Sequence, residues 1–224
     1  MTTQLISLVP EFQMEKSGVV FYSDPANFHR KCSVYLLGFN PGGNPDTHQV
    51  ETVQNHLQKV TSGSLRRKSL YESEQWAIYD RGQHPYQKGA CFLCERLGLE
   101  PAKVPSSNVI FERSISVMKL AKNYVLETAK ACWKFHQAVI SKVSPKAIIC
   151  FGNDAAKLVR QFLSANFFEG AYVENNNRMW RSRLWRNNDN LLVYGLSHPS
   201  RANWLNPDSD PTPWVARTMK EAWE

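Results

Sequence analysis

The stretch Val34-Tyr35-Leu36-Leu37-Gly38-Phe39-Asn40-Pro41-Gly42-Gly43 changes character in its middle. Its first half is an apolar run of strand length, led by β-branched and aromatic residues and without polar alternation. Such a strand is buried on both faces, as in a parallel sheet covered by helices. Its second half is a stop. Pro41 fixes φ and lacks a donor, while Gly42 and Gly43 accept backbone conformations closed to side chains. Asn40 is thereby delivered to the rim beyond the carboxyl end of a strand, where open α/β sheets bind ligands. Turn chemistry alone also accounts for Asn-Pro-Gly-Gly, so the stretch fixes architecture and leaves function open.

Three further segments, 108–112, 147–152 and 191–196, read as strands of the same kind. Between them Leu120, Tyr124, Thr128, Ala131, Phe135, Ala138 and Val143 keep a helical stripe, with Lys119, Lys122, Glu127, Lys130 and Lys134 on other faces. Ser144-Pro145 ends that helix, and Asn153-Asp154 is placed to cap another over 155–163. Residues 18–22 read as a short edge strand. The connection 44–107 carries helical pieces near 47–60, 69–80 and 88–98, with Gly98 as a stop. The Arg- and Trp-rich run 175–190 predicts a hairpin arm turning at Asn187-Asn188-Asp189-Asn190, and Pro211 and Pro213 open a C-terminal helix. Strands alternating with helices predict one α/β domain over 1–224, a three-layer sandwich with a four-stranded, mainly parallel sheet flanked by helices.

The chain has 224 residues, with 27 Lys plus Arg against 20 Asp plus Glu, a net charge of +7. That surplus favours an acidic partner, most simply a nucleic-acid backbone, although a solvated basic surface gives the same count. Five cysteines, scattered and odd in number, form no disulfide framework and point to a reducing compartment. No apolar stretch reaches membrane-span length, and Met1-Thr2-Thr3-Gln4 does not open a signal peptide. The expectation is a cytoplasmic monomer, nucleoid-associated if bacterial, with no membrane partner.

Two of the buried strands end in a special turn, one at Asn40-Pro41-Gly42 and the last at His198-Pro199-Ser200. In a parallel sheet both turns lie on one rim. Here the chain resembles the uracil-DNA glycosylase superfamily. Gly38-Phe39-Asn40-Pro41-Gly42 is similar to that family's first motif in its Asn-Pro-Gly form, and His198-Pro199-Ser200 to its second motif, which follows the last strand. Residues 144–155 are similar to its third strand and following helix, so the likeness covers about 30–205. Either motif alone is weak; the ordered pair is far more specific. The resemblance implies a DNA glycosylase without cofactor or metal. Asn40 would orient the attacking water, and His198, as a neutral donor, would stabilise the anion left on the base. Asn40 can position water but cannot take its proton as a carboxylate would, so modest turnover is expected. No lysine is placed for Schiff-base chemistry, so strand cleavage is not expected.

The departures sharpen the expectation. Gly42 stands where the uracil-specific branch carries a tyrosine that blocks 5-substituted bases, so the base pocket formed by Gly38, Phe39, Pro41, Gly42 and Gly43 should admit a larger base. The family's base-reading asparagine ends its second strand, and Glu112 is its nearest counterpart by sequence. A carboxylate only accepts hydrogen bonds and suits the amino group of cytosine. Together these point to a 5-substituted cytosine, hydroxymethylated or glucosylated, in anti-phage defence. A uracil or mismatch glycosylase of base-excision repair, and a non-catalytic nucleic-acid-binding module, are the alternatives.

An extruded base leaves a gap in the duplex. The family fills it from the loop after its second motif, where this chain has Arg201-Ala202-Asn203-Trp204, so Arg201 or Trp204 is expected there. Ser197 and Ser200 are expected to hold phosphates. Arg178, Arg181, Arg183 and Arg186, interleaved with Trp180 and Trp185, read as a backbone-binding edge or as a charge-protected hairpin. Gly82-Gln83-His84-Pro85-Tyr86 superficially resembles the first motif of the uracil-specific branch, but it follows Tyr79-Asp80-Arg81 rather than a buried strand and reads as a turn. Cys91 and Cys94, a helical turn apart, read as reduced thiols rather than half a metal site, and His29, His48, His56 and His136 show no ligand spacing.

Overall fold

The computed structural model describes residues 2–116 and 121–224. In chain order its helices are α1 (Thr2–Ile6), α2 (Val53–Thr61), α3 (Leu70–Ser73), α4 (Pro85–Arg96), α5 (Lys122–Val143), α6 (Asn153–Leu163) and α7 (Thr212–Trp223). Its strands are β1 (Val34–Gly38), β2 (Ser106–Asn108), β3 (Ala147–Phe151), β4 (Phe167–Val173), β5 (Arg181–Arg186) and β6 (Leu192–Leu196). They form one mixed sheet in the order β2-β1-β3-β6-β5-β4.

The first four strands of that order are parallel, and every residue of β1, β3 and β6 is buried. Their unbroken apolar sequence is the cause. Each fully buried Leu, Ile, Val or Phe side chain contributes about 1.5–3 kcal/mol, and only a position between two covered faces buries all of them. Helix α6 packs on β3 and β6 with Ala155, Ala156, Leu158 and Val159 buried. It lies so close that a Cβ at Gly195 would sit 2.6 Å from the Ala156 methyl. Helix α5 reaches β1 through a buried pair, the Tyr35 hydroxyl 2.7 Å from His136 Nδ1.

The sheet has six strands, not four. β5 and β4 extend it antiparallel beyond β6, so the predicted hairpin arm is part of the sheet. Its turn is where the sequence placed it: Asn187 Oδ1 accepts from the amides of Asp189 and Leu191. β4 carried no readable signal because it alternates on neither face and is largely exposed. The second parallel strand is shorter and earlier than 108–112. Beyond it the chain still bonds to the end of β1, through the Val109 and Ile110 amides to the Gly38 and Phe39 carbonyls, until the amides of Glu112 and Arg113 turn to Gln13 Oε1 and the Ser17 carbonyl. The segment 18–22 makes a single antiparallel bridge with Glu112 rather than a strand. Gly98 closes α4 at φ +65°, as expected. Residues 119 and 120 of the helical stripe lie outside the described residues. Among the described residues no helix is long and apolar enough to cross a membrane.

Candidate active site

Leu37, Cys150 and Gly195 lie side by side in one row across β1, β3 and β6. Asn40 and His198 each follow that row by three residues, on the same rim. Only β3 separates their strands, so the two turns leave the sheet about 10 Å apart. Two surface grooves, of about 330 and 320 Å³, lie at the other end of the sheet around Ser33, Leu99 and Trp223, away from these turns.

Asn40 is held by the segment that follows β2. Its Nδ2 donates to the Glu112 carbonyl (3.1 Å) and to Ser114 Oγ (2.7 Å). A backbone carbonyl can only accept, so this contact fixes the amide's orientation and leaves Oδ1 as the group presented elsewhere. The Asn40-Pro41-Gly42 turn is itself tied down, by Ser114 N–H to the Pro41 carbonyl and Arg113 Nη1 to the Gly42 carbonyl. Phe39 and Pro41 are buried, whereas Gly42 and Gly43 are exposed, and a Cβ at Gly42 would meet nothing within 4 Å.

His198 leaves β6 beside Gly152, whose φ of +111° suits glycine and which caps α6 in place of the expected Asn153-Asp154. A Cβ there would stand 3.4 Å from His198 Cδ2. The Ser200 amide donates to His198 Nδ1 (3.3 Å), and Ser200 Oγ lies 2.8 Å from the same nitrogen. Nδ1 therefore accepts, and the proton of the neutral ring sits on Nε2. Burial, with Arg201 and His84 adding to it, lowers the pKa of His198 to about 4. At neutral pH the residue is an uncharged Nε2–H donor.

The sequence reading missed two contributors. The first is Tyr86, from the 82–86 run read as a turn. His84 caps α4, its ring accepting from the Tyr86 amide, and Tyr86 packs 5.1 Å from the His198 ring and 5.2 Å from Phe151. The second is Asn108. It ends β2 in register with Gly38, and a Cβ at Gly38 would lie 2.0 Å from its Oδ1. Asn108 is 3 % exposed, and its side-chain amide is buried against the Tyr22 hydroxyl. No sequence signal marks it: β2 ends in line with Gly38, four residues before Glu112, only through its pairing with β1.

Glu112 does not face this rim freely. It is buried, and its Oε2 accepts from Gln13 Nε2 (3.1 Å) and the Tyr124 hydroxyl (2.7 Å). Its contribution to the site is its main-chain carbonyl, which holds Asn40. Trp204 is 1 % exposed and packs on Phe151, so it cannot enter a duplex. Ser197 is buried, with its amide on Ser182 Oγ, out of reach of a phosphate, while Ser200 serves His198. Asn203 folds back on the Leu205 amide.

The four arginines of the arm separate. Arg178 braces the fold, pairing with the buried Glu174 and donating to the Arg201 carbonyl. Arg186 pairs with Glu169. Arg181 and Arg201 are exposed and Arg183 is half-buried. Cys91 and Cys94 are free thiols whose pKa burial raises, that of Cys91 to about 12. No family model matches the chain, and no curated protein matches it.

Proposed function

We propose that the protein is a monofunctional DNA glycosylase that hydrolyses the N-glycosidic bond of a 5-substituted pyrimidine. One observation carries the reading: Asn40 and His198 stand at equal register beyond a single row of the sheet, with His198 fixed as a neutral donor. In that reaction the base departs with negative charge and the sugar carbon gains positive character. His198 Nε2–H meets the charge on the base, and one such preorganised donor is worth about 3 kcal/mol of barrier. Asn40, its Nδ2 anchored, turns Oδ1 towards the attacking water and orients it. Arg181, Arg183 and Arg201 supply backbone contacts, and the net charge of +7 favours DNA as partner.

The open space at Gly42 supports a substituent at the 5-position. Hydroxymethylated or glucosylated cytosine, in a defence setting, satisfies that requirement. A second observation favours a uracil-type base with a carbonyl at position 4. The Asn108 amide, which can donate, is buried at the end of β2 beside Gly38, whereas the Glu112 carboxylate is committed to Gln13 and Tyr124.

The test is release of free base from DNAs carrying uracil, hydroxymethyluracil, hydroxymethylcytosine or glucosylated cytosine. His198→Ala should lower the excision rate by about 100- to 1,000-fold, and Asn40→Ala should lower it while DNA binding persists in both variants. Salt-dependent DNA binding with no released base from any substrate would leave only a binding module.

A further inference from the structure

At the opposite end of the sheet from Asn40 and His198, the two surface grooves of about 330 and 320 Å³ adjoin one another across Leu99, which lines both. Their floor is apolar: Val34 at the start of β1, Leu97 and Leu99 after α4, Val104, and Met219 of α7. Their rim is basic. Arg96 and Lys220 stand over one hollow and Arg30, Lys31 and Lys103 over the other, and all five are exposed. Among the described lining residues there are two carboxylates, each already paired, Glu100 with Lys103 (2.6 Å) and Glu224 with Lys220 (3.6 Å). Lys31 donates to Ser144 Oγ and Arg96 lies over the Phe92 ring (4.9 Å), contacts that place these charges without neutralising them. Among the described residues no carboxylate pairs with Arg30, Lys31 or Arg96.

Cations suit a helix C-terminus, which accounts for Arg96 and Lys220 in the last turns of α4 and α7. Arg30, Lys31 and Lys103 end no α-helix, so the positive rim exceeds what the helices call for. An apolar floor under an unpaired cationic rim complements a ligand that carries apolar groups between negative charges. Nucleic acid supplies the charge, but its bases are held by stacking on aromatic rings. Trp223 is the one aromatic ring among the described lining residues, and Lys146 already lies over it at 5.2 Å. A second copy of the chain would bring its own net charge of +7 to the same rim. An acidic peptide meets both requirements, with aliphatic side chains for the floor and carboxylates for the rim.

We propose that this double groove binds an acidic segment of another protein, with one apolar side chain in each hollow and its carboxylates on Arg30, Lys31 and Arg96. The groove and the Asn40–His198 rim lie at opposite ends of the strands, so the peptide leaves the rim free. The surface tethers the protein to a partner, whatever the chemistry at the rim.

The probe is a fluorescein-labelled peptide of alternating aspartate and leucine, followed by anisotropy at physiological salt. It should bind the wild-type chain, and bind about tenfold more weakly to Arg96→Glu and to the double variant Arg30→Glu/Lys31→Glu. These positions are exposed, so the fold is expected to survive the exchange. Lys157→Glu, an exposed change of the same charge on α6 and outside the grooves, should bind as the wild type does. Peptides with asparagine for aspartate, or alanine for leucine, should each lose most of the affinity, and excess unlabelled duplex DNA should leave the parent peptide bound. No binding, or binding that the two groove variants do not weaken, overturns the proposal. An alanine peptide that binds as tightly as the parent also overturns it, because charge alone would then suffice. So does displacement by duplex DNA, which would make the groove a nucleic-acid surface. A wild-type dimer in sedimentation that Arg30→Glu/Lys31→Glu dissolves overturns it in favour of a second copy.

Discussion

At the scale of single residues, what His198 can do is set by its other ring nitrogen. With Nδ1 accepting from Ser200, the ring has one proton to offer, on Nε2, and burial keeps it from taking a second until the pH nears 4. Excision should therefore be level through the neutral range on the acid side and fall only as pH approaches about 4, measurable as an acid limb in single-turnover rates. The same shift bears on stability. His198 ionises less readily when folded than the ordinary histidine value of 6.5, so protons favour the unfolded chain. Its stabilising contribution is complete above pH 6.5 and is lost as the pH falls through the folded value. His56 and His136, lowered to about 3 by burial, extend the loss to more acid solution. Urea midpoints should thus decline steadily from pH 6.5 to pH 3, and a flat profile would contradict these assignments.

At the scale of elements, β1 and its neighbours divide what was readable from what was not. β1, β3 and β6 were legible because a strand buried on both faces must be apolar throughout, and few other segments are. The turn residues Asn40 and His198 were legible for the same reason, since each follows such a strand directly. β4 was not, because an exposed edge strand leaves no pattern. Glu112 was misplaced and Asn108 overlooked because β2 owes its bounds to pairing with β1 and to competition from Gln13 and Ser17, none of which propensity records. Tyr86 was dismissed because its neighbourhood, the start of α4, comes to the rim only through tertiary packing. Two substitutions test this layer. Gly38→Ala drives a methyl onto the Asn108 amide and should cost about 1–3 kcal/mol and abolish excision, read by denaturant melts and base release. Arg178→Ala leaves the buried Glu174 carboxylate with Asn176 Nδ2 as a side-chain donor and should cost about 1.5–3 kcal/mol, whereas Arg181→Ala should leave the melt within about 0.5 kcal/mol.

At the scale of the whole molecule, seven excess positive charges are spread over a body whose arginines are only partly committed to internal pairs. Binding to DNA should weaken linearly in a plot of log affinity against log salt. Arg181→Ala and Arg201→Ala should each reduce the magnitude of that slope by about 1, seen by titrations across salt concentration. A variant that weakens binding without changing the slope acts through structure instead. The shared row of Leu37, Cys150 and Gly195 has an implication for how this chain tolerates change. Because Asn40 and His198 are each found by counting outward from that row, amino-acid replacements along the strands can accumulate while the spacing survives. Losing or gaining one residue between 37 and 40, or between 195 and 198, swings a side chain to the opposite flank of its turn. Divergence in such a lineage should be written in letters and not in length.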